Sequence, residues 1–244
     1  MAAFRRAMAC GADGIEFDVR LSRDGVPVVI HDADLRRVGA RADQVSSLTA
    51  AELGQCDIGS WFNRRFPTLA NPDFGAERVP TLDEFLKFAR GAAGLFYLEL
   101  KPSLGQESML AFEVAKLIQS NQLESRIVTL SFDLSMVRAL KELNSSIRAA
   151  ALFQPQFLGA GSPLRKGAMI RAALACNADE IALHRLLLTP GMARRAVSAA
   201  LKLVVWTVDD LRWIQTAARL GVGAIITNRP EEMILSRQAV RPGL

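Results

Sequence analysis

The chain has 244 residues, half of them apolar, and its 30 basic and 25 acidic side chains leave a net charge of +5. This is ample for a sizeable core, in one large domain or two small ones. No run of 18 apolar residues occurs, so no transmembrane helix and no stable membrane insertion is expected. No dense Lys/Arg block with interleaved aromatics occurs either, which argues against a nucleic-acid partner; mild basicity fits an anionic small molecule or an ordinary solvated surface.

The N-terminal stretch M-A-A-F-R-R-A-M-A-C-G is basic but has no apolar core of signal-peptide length. Strands are then predicted at Gly14–Val19, Pro27–His31, Phe96–Lys101, Ile127–Phe132, Ala149–Phe153, Glu180–His184, Leu203–Val208 and Ala224–Thr227. Most are continuous apolar runs, as expected of parallel strands covered on both faces. Pro27–His31 differs, because Asp24-Gly25 joins it to the preceding strand as a hairpin-like excursion. Thr49-Ala-Ala-Glu52 and Thr81-Leu-Asp-Glu84 are capping boxes. Thr189-Pro190 opens a helix, Gly91 ends the one from Thr81, and Asp209 is predicted to cap a helix that stops at Gly221. The Gly-containing run from 159 to 167 lacks the Gly-Lys-Ser/Thr order of a phosphate loop and is read as a mobile βα loop.

Alternating β and α elements over this length predict an α/β fold with a parallel sheet, and a TIM (β/α)8-type barrel fits the length. No glycine-rich fingerprint follows the first strand, so a dinucleotide-binding open sheet loses support. Seven strands remain when the excursion is set aside, one short of a full barrel. Cys10, Cys56 and Cys176 are odd in number and form no CxxC, so they are read as buried free thiols in a reducing cytoplasm.

Residues two apart on a strand point to the same side, so Glu16 and Asp18 project together while Phe17 and Val19 face the other way. Two carboxylates on an apolar strand repel unless something positive lies between them. Glu99, in F-Y-L-E-L-K-P, supplies a third acid, with Lys101 on the same side. Three carboxylates make an all-oxygen site suited to Mg2+ or Ca2+; structural ion pairs with arginines are the alternative. His31 closes the excursion strand beside this group and is read as a general acid/base. Trp206 and Phe132, near strand ends, fit either an apolar wall for substrate or plain core packing.

The stretch G-A-D-G-I-E-F-D-V-R-L-S-R-D-G-V-P-V-V-I-H-D resembles the glycerophosphodiester phosphodiesterase family. So do D-I-G-S-W-F at 57–62, V-P-T-L-D-E-F-L at 79–86, then L-E-L-K-P, L-S-F-D, V-V-W-T-V and I-I-T-N-R-P, in family order. The resemblance is closest to the bacterial cytosolic type. It implies one TIM-barrel domain over 1–244 that hydrolyses glycerophosphodiesters to glycerol 3-phosphate and an alcohol. It further implies Glu16, Asp18 and Glu99 as metal ligands, His31 as one of two catalytic histidines, and Lys101 as the lysine that contacts phosphate.

The family normally opens with a strand carrying His-Arg-Gly, whereas this sequence starts within what resembles the first helix. The expectation is therefore a barrel lacking its first strand and the other histidine, with the natural start upstream. His184, far along the chain, is read as structural. The alternatives are a phosphodiester-binding chain with impaired catalysis, or a lysophospholipase D-type activity at the same site. The sequence is silent on head-group preference and oligomeric state.

Overall fold

The computed structural model describes residues 1–155 and 164–240, which group into two compact units. The first comprises Met1–Met8 and Gly14–Ile127; the second comprises Ala9–Asp13 and Val128 onward.

Three strands organise the first unit: β1 (Gly14–Leu21), β2 (Pro27–Val29) and β3 (Leu95–Leu100). β1 and β3 run parallel, in register from Gly14 opposite Leu95 to Val19 opposite Leu100. β2 folds back antiparallel on β1, with Val19 opposite Val29, so the excursion is the hairpin that Asp24-Gly25 predicts. Along β1 burial alternates strictly, and the buried set includes Phe17 and Val19. That set packs beneath the helix Leu82–Gly91, which Thr81 and Glu84 start with a reciprocal capping box. Phe85 of this helix lies 3.9 Å, centroid to centroid, from Phe17 and 5.6 Å from Phe96. The side chains opposite Phe17 and Val19 are thereby held against a fixed aromatic floor.

The segment between β2 and that helix is long but not loose. Val28, Ile30, Leu35, Val45, Leu48, Leu53, Cys56 and Val79 form a small core of their own. The short helix Ala50–Leu53 starts with the expected Thr49/Glu52 capping box.

The second unit carries β4 (Ile127–Ser131), β5 (Arg148–Phe153), β6 (Glu180–His184), β7 (Lys202–Trp206) and β8 (Val222–Ile225). Each is parallel to the next. β4 is buried throughout and the interiors of β5, β6 and β7 are buried too, as strands covered on both faces must be. Helices Leu134–Leu143, Leu164–Ala175, Pro190–Ser198 and Trp213–Leu220 connect them in turn. The α/β class is as read, with strand ends shifted by up to two residues. The glycine-containing loop lies outside the described residues through 163.

One helix start is corrected. Asp209 does not cap the helix ending at Leu220, which begins at Trp213 with Arg212 in the cap position. Its carboxylate instead accepts hydrogen bonds from Thr227 Oγ1 (3.0 Å), Asn228 N (2.8 Å) and Asn228 Nδ2 (3.0 Å). Asp209 thus ties the loop after β7 to the loop after β8. The helix does stop at Gly221, whose left-handed φ of 68° favours glycine.

Replacing Phe85 with Ala empties the space where Phe17 and Phe96 meet. The expected cost is about 3–5 kcal/mol of unfolding free energy, measurable as a lowered urea midpoint.

Candidate active site

The chemistry-bearing residues of the first unit converge where β1 and β3 lie side by side. The parallel register sets Asp18 directly opposite Glu99, and Glu16 lies one pleat back on the same face as Asp18. One carboxylate oxygen from each of Glu16, Asp18 and Glu99 falls within 4.8 Å of the other two. Lys101 Nζ lies 2.9 Å from Asp18 Oδ1 and 3.6 Å from Glu99 Oε1. The four side chains foreseen as ligands and phosphate contact are therefore brought together.

Three acids face the Lys101 ammonium, with the Arg20 guanidinium also acting on Asp18 and Glu99. Burial pushes the Glu16 carboxyl up to about 8, with Asp18 and Glu99 adding repulsion and Lys101 opposing it. Burial likewise pushes Glu99 up to about 7; Lys101 pulls against the rise while Asp18 reinforces it. Groups that keep protons near neutrality only because of burial and mutual repulsion are groups a divalent cation would ionise. The donor set, all oxygen and anionic, fits a hard divalent cation.

His31 follows β2, and its ring is 60% exposed. Its Nδ1 lies 2.6 Å from Asp32 Oδ1, while Arg37 Nε donates to Asp32 Oδ2 at 2.6 Å. With Nδ1 engaged, Nε2 is the nitrogen left for proton transfer. The Arg37 bond, ahead of the one to His31, keeps the Asp32 carboxyl below the usual range against the opposing effect of burial.

Sequence reasoning passed over two residues here. Arg20 is the next residue on the face of Glu16 and Asp18. Its Nε donates to the His31 carbonyl at 2.9 Å and its Nη1 to the Lys101 carbonyl at 3.2 Å, fixing the backbone of both. The period of two that selected Glu16 and Asp18 runs on to it. Asp32 carried its signal as the residue joined to His31.

Phe132 and Trp206 belong to the second unit and meet edge to face at 5.6 Å. His184 packs on Trp206 at 5.3 Å and accepts at Nδ1 from the Leu186 N–H, in keeping with a structural part. The Trp206 Nε1 atom is buried and has no hydrogen-bond partner among the described residues.

The model of the Glycerophosphoryl diester phosphodiesterase family matches residues 1–232. A glycerophosphodiester phosphodiesterase of Caldanaerobacter subterraneus subsp. tengcongensis is 29% identical over 236 residues, spanning 96% of this chain and 89% of that one. The crystal structure of a glycerophosphodiester phosphodiesterase from Agrobacterium tumefaciens is 28% identical with a TM-score of 0.75, covering 96% of this chain and 91% of that one. An Oleispira antarctica phosphodiesterase, solved with the product sn-glycerol-3-phosphate, is 21% identical with a TM-score of 0.82 over 96% of this chain and 89% of that one. The fold shared with such structures is the TIM-barrel type expected from the strand–helix alternation. Among the described residues no helix is long and apolar enough to cross a membrane.

The raised carboxyls of Glu16 and Glu99 predict an inverted pH dependence. Between the ordinary carboxyl value of 4.5 and about 7 to 8, the folded chain holds protons that the unfolded chain has released. Stability of the chelated protein therefore falls as pH rises through that window. Thermal melts in chelator should give a higher Tm near pH 5.5 than near pH 8.5, and Glu16→Gln should flatten the slope. Added divalent cation should raise Tm most at the alkaline end.

Proposed function

The chain belongs to the glycerophosphoryl diester phosphodiesterase family, and from that premise we propose that it hydrolyses glycerophosphodiesters to glycerol 3-phosphate and an alcohol. The observation that carries this reading is the meeting of the Glu16, Asp18 and Glu99 oxygens within 4.8 Å, with Lys101 beside them. Those carboxylates would hold Mg2+ or Ca2+. When bound, such an ion supplies charge neutralisation at the non-bridging phosphate oxygens.

The remaining work falls to side chains of the chain itself. Lys101 Nζ contributes a second positive charge to the phosphodiester, in a partly buried setting where it counts for more than in water. His31, with Nδ1 on Asp32, offers Nε2 for one of the two proton transfers that ester cleavage requires, off the attacking oxygen or onto the leaving alkoxide. Arg20 keeps the two in fixed relation by bonding both carbonyls. The Phe132–Trp206 pair would serve as an apolar wall for a glycerol or alcohol moiety. The product found in the Oleispira antarctica phosphodiesterase supports the same product class here. Three free cysteines fit a reducing compartment, and the cytoplasm is the proposed setting.

The test is release of glycerol 3-phosphate from glycerophosphocholine with Mg2+ or Ca2+, with and without chelator. Product that appears only with the cation is expected, and its absence under all of these conditions overturns the reading. His31→Ala should lower kcat by about 10²- to 10⁴-fold. Lys101→Met should slow the reaction while leaving the fold intact by circular dichroism.

A further inference from the structure

The motif D-I-G-S-W-F at 57–62 holds no group that the proposed reaction uses, yet it lies close to the histidine that does. We propose that Arg37, seated on Trp61 of this motif, is a positioning residue that holds Asp32 and through it the His31 ring. The inference deepens the proposed function and rests on His31 as its acid/base.

An imidazole as exposed as that of His31 has little packing to select a rotamer. Asp32 restrains it at Nδ1, but Asp32 is the next residue in an irregular segment and needs restraint itself. Its second oxygen receives Arg37 Nε at 2.6 Å. The Arg37 guanidinium carbon in turn lies 5.2 Å from the centroid of the Trp61 ring, within cation–π range. Arg37 is therefore committed on its edge to Asp32 and on its face to Trp61.

Both ends of this chain are anchored. On one side, Leu35 is fully buried in the small core, and the Gly39 N–H donates to its carbonyl at 2.7 Å. On the other, Asp57 starts the helix Ser60–Arg65 that carries Trp61. Its carboxylate accepts from Gly59 N (2.9 Å), Ser60 N (2.9 Å) and Ser60 Oγ (2.5 Å). Gly59 is needed for close approach, since a Cβ there would lie 1.8 Å from the Phe74 carbonyl oxygen. Each residue of the motif's D-x-G-S-W thus has a part in placing the Trp61 ring. The order of support runs from Asp57 and Gly59 through Trp61, Arg37 and Asp32 to His31.

The experiment is a double-mutant cycle on the full chain with glycerophosphocholine. Arg37→Met is expected to lower kcat about 10-fold, with KM within about twofold and Mg2+ affinity unchanged by calorimetry, since orientation is lost and binding is not. Arg37→Lys, which keeps the charge without the planar fork, should recover part of the loss. Trp61→Leu should shift kcat in the same direction. Because the residues act in series, adding Arg37→Met to Asp32→Ala should cost less than about twofold more. A rise in KM at constant kcat would make Arg37 a substrate contact, and multiplying effects would make it independent of Asp32; either overturns the proposal, as does an unchanged kcat. The ring nitrogens give a readout that needs no activity. With only His31 and His184 in the sequence, 15N spectra should show His31 protonated at Nδ1 in the parent and a mixture of tautomers in Arg37→Met. An unaltered tautomer sinks the positioning role. A His31→Ala chain with full activity would instead sink the proposed function.

Discussion

Three carboxylates are forced to share one small volume because a parallel register sets Asp18 opposite Glu99 and a pleat of two adds Glu16. Left alone, that arrangement is unfavourable, since each charge is desolvated and repelled by the other two. Lys101 and, from further along β1, Arg20 answer part of that charge, and the raised carboxyls of Glu16 and Glu99 show that it is not answered in full. A fold that keeps such a cluster must hold its strands rigidly, or the acids would swing apart. The opposite face of β1 shows how it does so: Phe17 and Val19 are buried, and Phe17 packs on Phe85, which in turn packs on Phe96. Stability lost at the site is offset by the aromatic packing directly beneath it.

Rigidity on β1 reaches the other working groups through one guanidinium. Arg20 lies at the end of the same face and binds the carbonyls of both His31 and Lys101. The excursion hairpin and the end of β3 are thus referred to a single strand. Displacing β1 would move the ligand oxygens, the ammonium and the imidazole backbone together, which preserves their relation. That is how a site drawn from three separate segments can keep one geometry.

How much of this was legible in the sequence follows from the range of the forces involved. Glu16, Asp18, Glu99 and Lys101 were legible because strand alternation is a local rule, and a buried acid on an apolar strand is conspicuous. The two capping boxes were legible for the same reason. Asp209 was misread because its pattern fits a helix cap, while its actual partners, Thr227 and Asn228, lie 18 and 19 residues away. The Arg37–Trp61 contact was hidden likewise, since nothing in either segment announces a ring stacking across 24 positions. Phe132 and Trp206 were each legible as aromatics near strand ends but not as partners, and an edge-to-face contact serves a core and a binding wall equally well.

The groups proposed to do the chemistry differ in exposure. Glu99 is 9% exposed and sits where water competes little for its oxygens, the condition under which fixed charges act strongly on a phosphate. The His31 ring is 60% exposed, the condition under which a group that gives up a proton can regain one from solvent. Burying His31 beside the carboxylates would gain electrostatic strength but isolate it from bulk protons. Exposing the carboxylates would dissipate their field into water. His31 stands on a separate segment, just after β2, with its ring exposed. The cost is that an exposed ring loses its packing, and hydrogen bonds from outside the sheet must orient it instead. Asp32 and Arg37 stand in that place, on a segment whose small core of Leu35, Val45 and Leu53 has no other evident use.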